Sequence, residues 1–181
     1  MDGIKKIFIK LGELDRRYIF IIISLSVLIP LIKPDWVKIP IKTTKNSEKV
    51  FDEIDKLKKN QKVLISFAYG ASTKPEIHPM SVAVLNHLFS KGVKVYIVAL
   101  WPEGVMMAVD ALADIIESKL FNLKEGIDFV NLGYKQGGPV VIKGIATDIR
   151  SLYKQDINLK TFDKIPMMED VNRVSDFNLV F

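Results

Sequence analysis

The chain has 181 residues, no cysteine and a net charge of +5, with 49% hydrophobic and 26% charged residues. That length suits one domain plus an appendage. The lack of cysteine excludes disulfides, thiolate metal sites and cysteine nucleophiles. The basic excess is mostly lysine and lacks the Arg-rich patch with interleaved aromatics of a nucleic-acid footprint, so no nucleic-acid partner is expected.

The first seventeen residues carry Lys5, Lys6, Lys10, Arg16 and Arg17 against Asp2, Glu13 and Asp15. They read as a basic cytoplasmic N-terminus. From Tyr18 to Ile32 there is no charge. The run is apolar all round, with no polar stripe for a soluble surface. Arg16, Arg17 and Lys33 stand where long side chains snorkel to headgroups, and Trp36 follows at interface distance. Pro30 falls in the last turn, where a lost backbone bond costs little, and Leu11 and Leu14 could extend the helix. The reading is an uncleaved transmembrane anchor whose partner is the lipid bilayer.

Two alternatives stand beside it. The run is only about 15 residues long, near the limit where a buried core helix competes. A cleaved signal wants small residues after the apolar run, whereas Pro30-Leu-Ile-Lys-Pro-Asp-Trp36 is bulky. Five basic residues precede the run and four follow it (Lys33, Lys38, Lys42, Lys45). Arg16 and Arg17, adjacent to the run, tip the orientation to N-terminus inside and soluble domain on the extracytoplasmic side of a single-pass membrane protein.

Residues 33–46 read as a linker with a short extended piece at 37–41. A helix is predicted over 47–59, with Val50, Phe51, Ile54 and Leu57 on one face. A buried strand is predicted over 62–69, a helix over 79–91 stopped by Gly92, and a second strand over 93–101. A long helix is predicted over 104–120, with Val105, Val109, Leu112, Ile116 and Leu120 inward. A third strand at 127–132, helix within 140–153 and a fourth strand at 177–181 complete the pattern. The alternation implies an α/β domain over 47–181: a three-layer parallel Rossmann-like sheet preceded by one N-terminal transmembrane helix. A last strand with no covering helix after it suggests a chain truncated at its C-terminus.

Ligands in open parallel sheets bind beyond the carboxyl ends of the strands, which points to the segments Tyr69 to His78, Trp101 to Gly104 and Asn131 to Gly138. Ser72, Glu76 and His78 suggest nucleophile, acid and base, but no Gly-x-Ser-x-Gly elbow accompanies them, and a turn with helix-capping groups is the favoured reading. The segment is not a P-loop, and no Gly-x-Gly-x-x-Gly follows a strand. Glu103 is a candidate site carboxylate or an acidic first-turn residue. Lys135, Gly137 and Gly138 could meet an anion through backbone N–H groups, or form a plain surface turn. His78 and His87 have no metal-ligand spacing, and no metal or cofactor is expected. His87 reads as a partly buried structural histidine, and the paired methionines at 106–107 and 167–168 as packing.

The assembled stretches resemble an uncharacterised family of prokaryotic membrane-anchored α/β proteins. They are Leu14-Asp-Arg-Arg17, Ile77-His-Pro-Met80, Lys91-Gly-Val-Lys-Val95, Leu100-Trp-Pro-Glu-Gly104, Val130-Asn-Leu-Gly-Tyr-Lys135 with Gly137-Gly138, and Ile165-Pro-Met-Met168. The resemblance implies an N-terminal anchor, an α/β domain and, in longer members, a further segment ending in another hydrophobic helix. It brings no established activity and no catalytic residues. Two functional readings follow. The first is a ligand- or partner-binding module at the membrane surface, within a possible membrane-protein complex. The second is a membrane-tethered hydrolase or transferase using Glu76, His78 and Glu103.

Overall fold

The computed structural model describes residues 15–33, 36 and 42–181. The basic residues and leucines expected ahead of position 15, and the extended piece at 37–41, lie outside the described residues. The chain divides into two units, one ending at Thr44 and the other spanning Lys45–Phe181.

In the first unit, helix α1 spans Arg16–Ile32. The Asp15 carboxylate caps it by accepting from the Arg17 N–H at 3.0 Å. Pro30 lies in the last turn, and Lys33 N–H still closes onto the Ile29 carbonyl at 2.9 Å. None of its residues is buried. At roughly 1.5 Å per residue, 17 residues reach about 25 Å, short of the ~30 Å hydrocarbon core. No helix among the described residues is long and apolar enough to cross a membrane.

The second unit is α/β. Helix α2 spans Lys45–Asp55, followed by strand β1 (Lys62–Phe67), helix α3 (Lys74–Ser90), strand β2 (Lys94–Ala99) and helix α4 (Gly104–Glu117). Strand β3 (Phe129–Tyr134), helices α5 (Pro139–Thr147) and α6 (Ile149–Leu152) and strand β4 (Leu179–Val180) complete it. The four strands form one all-parallel sheet in the order β3-β2-β1-β4. Parallel neighbours need crossover connections, and helices supply them. The direction of strand addition reverses after β3, so β1 and β4 flank the topological switch point.

Alternation along the strands divides the core. Val63, Ile65, Phe67, Val95 and Ile97 point to the layer built by α2, α3 and α4. Leu64, Tyr96, Val98, Val130 and Leu132 point to the opposite layer, built by α5, α6 and the short turns after them that carry Phe162, Ile165, Met167, Met168, Val171 and Phe177. Arg150 ties those turns together by donating to the carbonyls of Met168, Glu169 and Val171. The outer edge of β3 is covered by an irregular segment whose Ile157 N–H donates to the Asn131 carbonyl at 3.0 Å.

The inward face of α4 differs from the expected one. Met107, Ala108, Ala111, Leu112 and Ile115 are buried, while Val109, Ile116 and Leu120 are exposed. Small residues let the helix approach the sheet closely, and that outweighs the larger apolar stripe. The contact is tightest at Gly104, where a Cβ would overlap the Phe67 carbonyl oxygen and press on the Ala99 methyl at 3.3 Å. Helix α2 likewise buries Ile54 but leaves Val50 and Phe51 exposed, with Phe51 stacked on His87 at 4.5 Å.

Gly104→Ala is therefore expected to destabilise the fold by about 1–3 kcal/mol through overpacking, measured by chemical denaturation. A second expectation concerns tyrosines. Burial pushes the Tyr153 hydroxyl up to about 12 and raises Tyr96 well above the ordinary value. The folded chain holds these protons while the unfolded chain releases them near pH ~10, so their stabilisation is complete below that pH and is lost as pH climbs through the folded values. The Tyr153 hydroxyl also has no hydrogen-bond partner. Tyr153→Phe should thus match or exceed the parent's stability at pH 7 and lose less of it above pH ~10, read from denaturation curves across pH.

Candidate functional site

Three connections emerge at the carboxyl ends of the strands. The first runs from Ala68 to Thr73 and contains a short 3-10 turn over Ala71–Thr73. Ser72 is exposed in that turn, and Glu76 is exposed in the first turn of α3. Helix α3 starts at Lys74, five residues earlier than expected: Pro75 sits at its favoured first-turn position, and the helix continues through Pro79, an interior proline that forgoes one backbone bond. The shift moves His78 off the loop and into the second turn of a helix.

His78 is buried between α3 and α4. Its Nδ1 lies 2.9 Å from the Tyr69 hydroxyl and its Nε2 lies 3.0 Å from Asp114 Oδ2. A carboxylate only accepts, so in the neutral ring Nε2 donates to Asp114 and Nδ1 accepts from Tyr69. Both nitrogens are committed, which leaves no base for Ser72 or Glu76. Burial, its largest cause, raises the Tyr69 pKa.

Two further contacts line up with this one. The Lys74 ammonium meets Asp110 at 2.6 Å, and the Ala71 N–H donates to Glu103 Oε2 at 2.9 Å. Lys74 and His78 are four apart on α3, and Asp110 and Asp114 are four apart on α4, so each pair shares a helix face. The result is a polar seam of three rungs joining the β1–α3 connection and α3 to α4. Asp110 holds the Lys74 pKa above its ordinary value. A Cβ on Gly70 would overlap the Glu103 carboxylate, so the top rung needs glycine there. Glu103 serves as a tie between two connections, a role beyond the two considered from its position alone.

The third connection begins later than expected. Asn131 lies within β3, 1% exposed, and its Oδ1 accepts from the Gly133 N–H at 3.0 Å while its Nδ2 has no partner. Gly133, at φ +80°, sits beside a register irregularity between β2 and β3. Lys135 is exposed with its ammonium 5.7 Å from the Tyr153 ring centroid. Gly137 and Gly138 are exposed in the turn before α5. Among the described residues no group of three or more His, Asp or Glu side chains is placed to hold a metal.

The rim around these connections carries exposed apolar side chains. Trp101 is 55% exposed, Met106 in the first turn of α4 59%, and Val140 in the first turn of α5 73%. β2 and β3 are neighbours, so the connections that follow them emerge side by side. Cavities lie elsewhere: one of about 180 Å³ between β1, α3 and Phe181, and one of about 430 Å³ between α2 and α3 lined by Val50, Phe51, Met80 and Ala83. Neither is lined by a residue of the strand-end connections.

The sequence reading missed Tyr69, Lys74, Asp110 and Asp114. The i,i+4 spacing of the two pairs was visible, but nothing local says that the two helices face each other. His78→Ala would remove the imidazole from the buried Tyr69 hydroxyl and leave a cavity between α3 and α4, and is expected to cost about 1–3 kcal/mol. Lys74→Ala removes a half-exposed ion pair and should cost under about 1 kcal/mol. Parallel denaturation of both variants checks the ranking.

No protein-family model, curated protein or solved structure matches this chain.

Proposed function

We propose that this chain is a membrane-tethered binding module that recognises a protein partner through the connections at the carboxyl ends of its strands. The observation that carries the reading is the exposed rim of Trp101, Met106 and Val140 around Ser72, Glu76, Glu103, Lys135, Gly137 and Gly138. Exposed aromatic and methionine side chains amid polar residues mark contact surfaces, because they regain apolar burial when a partner arrives. The hydrolase or transferase reading loses support, since His78 has both ring nitrogens engaged inside the fold.

The tether is α1. Its aliphatic and aromatic side chains are exposed along its whole length, and lipid is the surrounding that relieves that exposure. Arg16, Arg17 and Lys33 reach headgroups from both ends, and a short apolar stretch is accommodated by local bilayer thinning. The basic residues ahead of it put the α/β unit on the extracytoplasmic side.

The full chain is expected to float with phosphatidylcholine vesicles in a density gradient. Ile22→Lys with Leu25→Lys, each costing about 2.5–3.5 kcal/mol at a helix centre, should leave it at the bottom. Flotation of the double variant would refute the tether. For recognition, a photocrosslinking amino acid at Trp101 should give a discrete adduct in native membranes. The same probe at Asp170, whose carbonyl accepts from Lys62 at the opposite end of β1, should give none. Equal labelling from the two positions would remove the strand-end face as the binding surface.

A further inference from the structure

The cleft between α2 and α3 has a simple chemical plan. Val50, Phe51 and Ile54 form one wall and Met80, Ala83 and Val84 the other, around about 430 Å³. Phe51 stacks on His87 at 4.5 Å, and Asp55 pairs with Lys91 at 3.0 Å. Both contacts advance by four residues on each helix, so α2 and α3 run the same way and the cleft lies along them. From Asn46 to Ile54 it reaches about 12 Å, at ~1.5 Å of rise per residue. Asn46 and Ser47 stand at one end, and the Phe51–His87 stack closes the other. Among the described residues no hydrogen-bonding side chain lines it between those ends.

Its surroundings limit what can enter. Beside the cleft α2 presents Lys45, Glu48, Lys49, Asp52, Glu53 and Lys56 to solvent. A protein partner needs a broader apolar core, from which charged side chains are depleted. A slot of this volume falls within the ~300–1,000 Å³ of small-ligand sites, which are concave and mostly apolar with a few polar groups that orient the ligand. Walls without donors or acceptors reward only apolar contact, so they select an aliphatic chain over a polar or heteroaromatic ligand. Ala83 keeps the slot open by its small size, and the Met80 side chain, 62% exposed, is unbranched and adapts to an irregular occupant.

We infer that the α2–α3 cleft is a binding site for the alkyl chain of a single-chain amphiphile, with the polar head left at the Asn46–Ser47 end. The site shares no residue with the strand-end connections, so it stands apart from the recognition face proposed above.

The test uses the full chain in phosphatidylcholine nanodiscs, labelled with carbon-13 at the methionine methyl groups. The Met80 signal is assigned by its loss in Met80→Leu. Decanoate is the probe, at free aqueous concentrations set by dialysis. The Met80 signal is expected to shift saturably, while that of Met106, exposed on α4 and outside the cleft, stays in place. Equal shifts of the two would mean indiscriminate binding and overturn the inference. Octanoate should need roughly tenfold more for half-saturation, because two fewer methylenes are buried; equal half-saturation would show that the chain does not enter. Ala83→Leu fills the slot from an exposed helical position that leucine suits, and Val50→Phe fills it from the opposite wall. Each should weaken decanoate binding about tenfold, with the Met167 and Met168 signals of the opposite layer unmoved as the check on folding. Undiminished binding in both variants would remove the cleft as the site.

Discussion

Burial of β2 on both faces is the constraint from which the rest of the domain follows. Val95 through Ala99 are each at most 1% exposed. A strand enclosed this way needs parallel partners on both edges and a helical or coiled layer above and below. Parallel neighbours cannot be joined by hairpins, so every return passes over a face of the sheet. Two successive returns build the α3–α4 layer. The third serves the other face, because β4 joins the far side of β1. All three connections that leave the carboxyl ends of β1, β2 and β3 are thereby gathered at one end of the sheet.

That gathering sets up the polar seam. Helices α3 and α4 share a layer and run in the same direction, so side chains four apart on one can meet side chains four apart on the other. Three acidic groups on the α4 side meet a backbone N–H, an ammonium and an imidazole. The rungs differ in kind: the lysine pair is half exposed and worth little, whereas the imidazole is buried and hydrogen-bonds the buried Tyr69 hydroxyl. Glycine at 70 and 104 is what permits the close approach at the seam's upper end. The third connection takes no part in the seam; the carbonyls of Gly137 and Gly138 accept instead from Val140 and Ile142 of α5.

The opposite layer is built by another route. Two short helices and several turns cover it, and their backbone groups are satisfied by side chains reaching across: Arg150 to three carbonyls, Tyr96 to the Met167 carbonyl at 2.5 Å, and the Asp176 carboxylate to the N–H groups of Asn172 and Arg173. Those two backbone donors hold Asp176 below the ordinary carboxylate range. An irregular layer of this sort works because Phe162, Ile165, Met167 and Met168 supply the burial that a longer helix would have supplied.

Much of this architecture was legible in the residue order. The apolar runs at β1 and β2 announce strands enclosed on both faces, and the alternation with helical patterns implies a parallel sheet, because period and composition are local properties. The uncharged run between Arg17 and Lys33 marks α1 for the same reason. The site was legible only as a location: strand-end connections can be named once strands are placed, and Ser72, Glu103, Lys135 and the glycines do lie there. Which side chains meet was decided by the tertiary structure alone. The start of α3 turned on how the Pro75 and Pro79 positions are accommodated, and it carried His78 from a presumed loop to the core. The inward face of α4 turned on the small size of Ala108 and Ala111, which matters only when a sheet lies close beneath. The pairings of Tyr69 with His78, of His78 with Asp114 and of Lys74 with Asp110 span up to 36 positions in the chain. Local pattern determines the elements, but a contact between two elements exists only after the sheet has fixed their distance and rotation.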